Sequence, residues 1–120
     1  MGRVVHFEIL ADNPERAATF YETVFGWKVE RPEGMNEQYW LLTTGPEGTV
    51  GINGGLMGRH FPQPVINTAE VDSLDETIAK VQAAGGEVAF GPNVIPGIGR
   101  HAYFKDTEGN MFGALEPPAK

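Results

Sequence analysis

The chain repeats itself at an interval of about 60 residues, and this repeat restricts the folds that it can adopt. The segment from Val4 to Val29 and the segment from Pro64 to Val88 carry the same succession of sequence patterns. At an offset of 60 residues, the paired positions are Val5 with Val65, Asp12 with Asp72 and Gly26 with Gly86. We therefore expect two copies of one supersecondary unit.

The first half begins with a strand and continues with a helix. Residues in Val4–Ala11 alternate between two faces, which predicts a β-strand. Asn13 is a typical N-cap residue, and Pro14 suits the first helical position. An apolar stripe follows at helical spacing, and Gly26 is expected to end the helix.

The second half has the same order of elements. Ser73 and Glu76 have the spacing of a capping box, and Gly85 with Gly86 predicts the end of the helix. Three short strands are predicted after each helix: Trp27–Glu30, Tyr39–Thr44 and Val50–Leu56, then Glu87–Gly91, Arg100–Lys105 and Asn110–Leu115. The predicted class is α+β, with one strand, one helix and three strands in each half. We expect a single domain over residues 1–120, with a first module at about 3–56, a linker at 57–63 and a second module at about 64–117.

Composition excludes several classes of partner. The 120 residues include 9 basic and 16 acidic side chains, for a net charge of −7, and no basic stripe that would favour nucleic-acid binding. No apolar segment is long enough to suggest a membrane span. The chain has no cysteine, so it has neither disulfides nor thiolate metal ligands, and we expect a cytoplasmic protein.

The two ends of the chain carry a family resemblance. HFEILADNPERAATFYETVFGWKV and AYFKDTEGNMFGALE resemble the first strand and helix and the last hairpin of the vicinal oxygen chelate superfamily, which includes glyoxalases, bleomycin-resistance proteins and dioxygenases. Thr107 stands where proline is usual. The resemblance implies two tandem βαβββ modules that form one glyoxalase-like domain, with cup-shaped mixed sheets around a small-molecule site. It also implies a homodimer, in which exchange of halves between chains is conceivable.

In metal-dependent members of that superfamily, ligands stand on the first and last strand of each half. By this resemblance His6 occupies the first position, and Ile66 is its counterpart in the second half. Counting four residues from the hairpin glycines places the last-strand positions at Ile52 and Gly113. Three of the four positions therefore carry residues that cannot bind a metal, and we expect no cofactor.

Two alternatives would preserve a divalent metal of unknown identity. His6 could bind it together with Glu8, two residues further along the same strand face. His6 could also bind it together with Glu116, which has the opposite strand parity to Gly113 and would need a β-bulge to point inward.

Without a metal, His6 and Glu8 are the candidate catalytic residues. A carboxylate beside an imidazole raises its basicity and fixes its orientation, as a general base or ligand anchor requires. In the alternative interpretation the two side chains only satisfy hydrogen bonds to each other or to neighbouring strands.

Four further residues are candidates for ligand binding. His101 and Tyr103 share one face of a strand, although a solvent-exposed surface explains them equally well. Tyr39 and Trp40 could stack on a flat ligand, as the resemblance to drug-binding members suggests, with core packing as the alternative.

The sequence therefore favours a protein that binds a small organic molecule. If it is an enzyme, we expect a lyase or isomerase that removes a proton next to a carbonyl. The alternative is a non-catalytic, metal-free protein that sequesters a ligand, as bleomycin-resistance members do. A ferredoxin-like barrel monooxygenase is less compatible with three strands after each helix.

Overall fold

The computed structural model describes residues 2–32 and 38–119. It divides into two compact units, one formed by His6–Ile66 and the other by Met1–Val5 with Asn67–Lys120. In the described residues the elements of the first repeat are β1 (Arg3–Ala11), α1 (Pro14–Phe25), β2 (Lys28–Glu30), β3 (Tyr39–Thr43) and β4 (Gly54–Gly58). Those of the second repeat are β5 (Val65–Glu70), α2 (Leu74–Ala83), β6 (Glu87–Ile95), β7 (Gly99–Lys105) and β8 (Met111–Glu116).

The strands of the two repeats pair in the same way. In the first, the order is β2-β3-β4-β1, with β1 parallel to β4 and antiparallel pairing elsewhere. In the second, the order is β6-β7-β8-β5, with β5 parallel to β8 and antiparallel pairing elsewhere. The predicted duplication, the α+β class and the mixed sheets are confirmed.

Both helices begin where the sequence predicts. The Oδ1 atom of Asn13 accepts a hydrogen bond from the backbone N–H of Arg16 at 3.1 Å. The Oγ atom of Ser73 accepts one from the backbone N–H of Glu76 at 3.2 Å. Gly26 adopts φ 70° at the end of α1, a left-handed conformation that favours glycine.

Each helix covers one face of its own sheet. In the first unit the buried cluster comprises Ala11, Ala18, Leu42 and Leu56, with Phe7, Ile9, Trp27 and Trp40 among the side chains packed against it. In the second it comprises Leu74, Ala102, Phe104 and Ala114. Because side chains alternate along a strand, the residues between these positions point to the opposite face. We call this the open face of each sheet, in the sense that its own helix does not cover it.

Three predicted strand boundaries differ from the structure by more than one residue. β4 begins at Gly54 rather than Val50, because Thr44 holds the preceding segment in a turn. The backbone N–H of Thr44 donates to Asn53 Oδ1 at 2.9 Å, and its hydroxyl donates to the Ile52 carbonyl at 2.6 Å. The predicted end of this strand at Leu56 is also too early, since β4 continues through Gly58.

The third wrong boundary is the end of β6. The strand was predicted to end at Gly91, but it continues to Ile95. Register shifts between Val88 and Phe90 and between Phe90 and Asn93 carry the pairing with β7 past this glycine. Within the described part of the chain, no helix has both the length and the apolar character needed to cross a membrane.

Candidate functional site

The open face of the first unit brings together a histidine, a carboxylate and a phenol. His6 and Glu8 lie on β1, on the face opposite Phe7 and Ile9, as the strand alternation predicts. The Nε2 atom of His6 and the hydroxyl of Tyr39 on β3 form a hydrogen bond of 2.9 Å. Glu8 is 5% exposed, so this carboxylate is withdrawn from solvent.

A glycine makes room for this arrangement. Gly55 pairs with Glu8 in the parallel register between β1 and β4. A Cβ atom at Gly55 would overlap the hydroxyl and Cζ of Tyr39. The phenol therefore lies directly over the backbone of β4, which requires glycine at this position.

The electrostatic environment keeps the imidazole of His6 neutral. Burial removes solvent from the ring and lowers the pKa of His6 below its ordinary value of 6.5. The negative charge of Glu8 raises this pKa, but by less than burial lowers it. At neutral pH the ring is thus an available proton acceptor, and an acidic neighbour stabilises the protonated form once it has accepted a proton.

The second unit has an equivalent arrangement with different residues. Thr68 stands 60 residues after Glu8 and pairs with Gly113, as Glu8 pairs with Gly55. A Cβ atom at Gly113 would lie 2.5 Å from Thr68 Oγ1 and 2.8 Å from His101 Nε2. The ring of His101 also makes an edge contact with Tyr103, with 4.5 Å between centroids. Both predicted residues of β7 thus lie on the open face, opposite the buried Ala102 and Phe104.

Trp40 is separated from the other candidates of its unit. It pairs with Leu56 and packs against the buried cluster on the helix side of the sheet. The guanidinium of Arg31 lies over its ring, 5.5 Å from the centroid. Of the two aromatic residues that the sequence suggested for ligand stacking, only Tyr39 lies beside His6.

The structure changes the assignment of one family ligand position. Because Thr68 pairs with Gly113 and Glu8 pairs with Gly55, the first-half counterpart of Gly113 is Gly55. The predicted position, Ile52, precedes β4 and is wrong. The physical reason is the turn held by Thr44, which delays the start of β4. With this register, the four positions that the resemblance implies would fall on His6, Gly55, Ile66 and Gly113.

Glu116 does not provide a replacement ligand. The register between β7 and β8 runs without a bulge from Lys105 and Met111 to Arg100 and Glu116. One carboxylate oxygen of Glu116 accepts a hydrogen bond from the backbone N–H of Leu74 at 2.9 Å, and the other lies 3.8 Å from Arg100. This carboxylate thus caps the first turn of α2. The described residues contain no group of three or more side chains suited to holding a metal ion, and the residues at the family positions do not fit one.

Sequence reasoning missed two features of these faces. The bond between His6 and Tyr39 joins residues 33 apart, and no local pattern indicates it. Thr68 was also missed, although it stands at the repeat position of Glu8. Overlaying the two halves around Glu8 would have drawn attention to it.

Proteins similar to this chain carry glyoxylase or lyase names. A protein of Mycobacterium tuberculosis provisionally named a glyoxylase, CFP32, is 34% identical over 122 residues, which cover 97% of this chain and 44% of that protein. A glyoxylase-like domain-containing protein of Didymella fabae is 31% identical over 128 residues, which cover 99% of this chain and 97% of that protein. Lactoylglutathione lyase GLX1 of Arabidopsis thaliana is 28% identical over 127 residues, which cover 95% of this chain. The chain spans less than half the length of the Mycobacterium and Arabidopsis relatives, at 44% of each.

Solved structures with the same fold are more distant in sequence. Methylmalonyl-CoA epimerase from Mycobacterium tuberculosis superposes with a TM-score of 0.67 at 15% identity, over 97% of this chain and 88% of that one. A methylmalonyl-CoA epimerase in complex with methylmalonyl-CoA and NH4+ gives a TM-score of 0.70 at 15% identity, over 99% of this chain and 96% of that one. At this identity the likeness establishes the fold. The repeated βαβββ unit and the match of the family model to residues 3–113 together show that the chain belongs to the Glyoxalase/Bleomycin resistance protein/Dioxygenase superfamily.

Proposed function

We propose that this chain binds a small carbonyl compound and catalyses proton transfer at the carbon next to the carbonyl. The observation that carries the proposal is the half-buried, neutral His6, hydrogen bonded to Tyr39 and placed beside the buried Glu8. Such a reaction needs a proton acceptor, a polar partner and a charge that stabilises the protonated acceptor.

His6 is the final proton acceptor in this proposal. The phenolic oxygen of Tyr39 takes the proton from the substrate carbon while its own proton moves to Nε2 of His6. The electron pair of the broken C–H bond moves toward the carbonyl and gives an enolate. Return of a proton to the same carbon, from either side, regenerates the carbonyl compound and both side chains.

Glu8 stabilises the imidazolium that forms during this transfer. Its charge raises the pKa of His6, which means that it favours the protonated ring. Burial opposes protonation at rest and so keeps His6 ready to accept a proton at neutral pH. General acid–base groups in such positions contribute about 10²- to 10⁴-fold to a rate.

Thioesters are the substrate class that we would test first. Lactoylglutathione lyase is named for one thioester, and the structural neighbours are named for methylmalonyl-CoA, which is another. Both compounds carry a C–H bond next to a thioester carbonyl. In this proposal the side chains of the first unit remove that proton.

Exchange of the substrate proton with solvent tests the proposal. Lactoylglutathione and methylmalonyl-CoA would each be incubated in D2O with the protein, and loss of the α-proton signal would be followed by NMR. We expect His6→Gln to lower the exchange rate at least about 100-fold. Tyr39→Phe removes the oxygen that takes the proton from the substrate carbon, and we expect a loss of similar size, at least about 100-fold.

His60→Gln is the matched control, because His60 lies exposed in the loop after β4. It should exchange the substrate proton at the wild-type rate. Catalysis by His6 is refuted if His6→Gln and His60→Gln exchange equally fast while both remain folded.

Sequestration without catalysis is the second candidate function. It is favoured by Gly55, Ile66 and Gly113 at the positions where metal-dependent relatives would carry ligands. A protein of this kind would bind the thioesters, as measured by calorimetry, and leave their α-protons unexchanged. That result would select this function over the first.

We also propose a homodimer. Three large apolar side chains of α1 remain exposed: Phe20 at 55%, Val24 at 52% and Phe25 at 60%. Association of two chains through these side chains would remove apolar surface from water. Light scattering coupled to size exclusion would give about twice the mass of 13.0 kDa. A monomer at all concentrations would exclude this assembly.

A further inference from the structure

We propose that a groove between the end of β1 and the first half of α1 binds a small organic acid, with the carboxylate at Arg16 and Arg59 and a flat apolar body against Phe20. The groove lies on the helix side of the first sheet, whereas His6 and Glu8 point to the open face. It is independent of whether His6 transfers a proton.

The groove is formed where two parallel strands end. β1 ends at Ala11 and the parallel β4 ends at Gly58, so both carboxyl ends lie at one edge of the sheet. The backbone N–H of Arg59 donates to the Ala11 carbonyl at 3.1 Å and joins the two ends. The groove beside them has a volume of about 440 Å³. In open α/β sheets ligands bind outside the carboxyl ends of parallel strands, in pockets of about 300–1,000 Å³.

The charged side chains of the groove leave a net positive charge. They are Arg16, Arg59 and one carboxylate, that of Asp12. Nε of Arg59 donates to Asp12 Oδ1 at 2.8 Å, which leaves the Nη atoms of this guanidinium available as donors. Among the described residues, no acidic side chain forms an ion pair with Arg16. The groove therefore carries one unbalanced positive charge, in a chain whose net charge is −7.

The rest of the groove is largely apolar. Ile9 and Ala17 line it together with the ring of Phe20. Arg16 and Phe20 are four residues apart on α1, so they are neighbours on the same side of the helix. The Phe20 side chain is 55% exposed, and its ring makes an edge contact with Tyr21, with 5.1 Å between centroids. A flat ligand can therefore lie against this ring while its charged end reaches the guanidinium groups.

The chemistry of these groups defines the ligand. A guanidinium presents planar N–H donors that match the two oxygens of a carboxylate. One negative charge balances the single unbalanced positive charge of the groove, whereas a neutral ligand would leave it unbalanced. The ligand class is therefore a monocarboxylate with a planar apolar body.

Benzoate is the simplest probe of this class. Acetate lacks its apolar body, and benzamide lacks its charge. Each would be titrated into the full chain at constant ionic strength, while the Ala17 methyl, the Phe20 ring and the His6 ring are followed by NMR. We expect benzoate to shift the signals of Ala17 and Phe20 and to leave those of His6 unchanged. Acetate and benzamide should each bind at least about threefold more weakly than benzoate.

Arg16→Gln tests the charged part of the groove. It should weaken benzoate binding about three- to fivefold and leave benzamide binding unchanged. Arg3→Gln is the matched control, because Arg3 is also exposed but lies outside the groove. It removes the same charge from the chain and should bind benzoate as the wild type does.

Phe20→Ala tests the apolar part and separates the groove from the proposed dimer surface. Phe25 belongs to the same dimer surface and is similarly exposed, at 60%, but it does not line the groove. Both Phe20→Ala and Phe25→Ala should weaken association of two chains. Only Phe20→Ala should weaken benzoate binding, by about threefold.

Four results would overturn this site. The first is equal benzoate affinity in Arg16→Gln and Arg3→Gln, as expected if the protein surface attracts the anion without a defined site. The second is equal benzoate affinity in Phe20→Ala and Phe25→Ala. The third is a shift of the His6 signals without one at Ala17 and Phe20, and the fourth is no shift with benzoate in the wild type. None of these readouts depends on α-proton exchange, so they leave the test of His6 unaffected.

Discussion

Replacing Gly55 with alanine would place a methyl group where the phenol of Tyr39 lies. The new Cβ would overlap the hydroxyl and Cζ of Tyr39, and it would lie 2.9 Å from Cε1. Backbone movement is resisted by pairing with β1 and β3 on both sides, so the tyrosine ring must swing away. That movement breaks the hydrogen bond to His6.

The loss in the free energy of unfolding of Gly55→Ala can be worked out from these contacts. Loss of the bond between His6 and Tyr39 contributes about 0.5–1.5 kcal/mol, and overpacking contributes about 1–3 kcal/mol when the crowded side chain cannot move freely. Because Tyr39 is the flexible member, we expect a total of about 1–3 kcal/mol in the free energy of unfolding. For a chain of this length, this corresponds to a fall in Tm of at least about 3 °C.

Gly58→Ala in the same strand is the matched control. A Cβ at Gly58 would meet its nearest atoms, on Gln38 and His60, at 3.7 Å and 3.9 Å, which are ordinary contacts. Thermal unfolding of both variants would be followed by circular dichroism. We expect the Tm of Gly58→Ala to stay closer to that of the wild type than the Tm of Gly55→Ala does, by at least about 2 °C.

A double-mutant cycle assigns the penalty to Tyr39. In a Tyr39→Ala background the ring is absent, so Gly55→Ala should cost little, and the coupling free energy should equal most of the single-variant loss. The account of this contact is refuted if Gly55→Ala is as stable as Gly58→Ala, or if its penalty persists without the tyrosine ring.

Three further predictions concern charged groups. The NMR titration of His6 should have a midpoint below 6.5, and Glu8→Gln should move it lower still, because it removes the charge that raises this pKa. The pKa of His6 is lower in the folded than in the unfolded chain, so the folded state binds fewer protons. The free energy of unfolding should therefore fall as the pH drops from 6.5 through the lowered pKa. If the wild type showed no such fall relative to His6→Gln, this reasoning would be contradicted. Glu116→Ala should lower the free energy of unfolding by about 1–2 kcal/mol, because the backbone N–H of Leu74 loses its acceptor. Urea denaturation measures this change, and an unchanged midpoint would show that the cap is dispensable.

The elements with local signals could be predicted from the sequence. Asn13, Gly26 and Ser73 define helix ends through bonds to neighbouring residues or through a left-handed backbone, so the residue type alone is informative. The alternation in β1 likewise placed His6 and Glu8 on one face. The repeat then extended these assignments to the second half of the chain.

Features that depend on contacts distant in sequence could not be predicted. The start of β4 is set by Thr44, which bonds Ile52 and Asn53 eight and nine residues later, and the apolar pattern at Val50 gave no sign of this turn. The position of Tyr39 over Gly55 depends on the register of two strands. The role of Glu116 as a cap of α2 depends on its bond to Leu74, which joins residues 42 apart and has no local sequence signal.

The most direct test of the central claim is the pH dependence of α-proton exchange after removal of metal ions by a chelator. If His6 accepts the proton within a site formed by protein side chains alone, the chelated wild-type chain should exchange the α-proton of a bound thioester. Its rate should rise with pH to a plateau reached above the lowered pKa of His6, below 6.5. Loss of exchange on chelation, with recovery when a divalent metal is added back, would contradict the account.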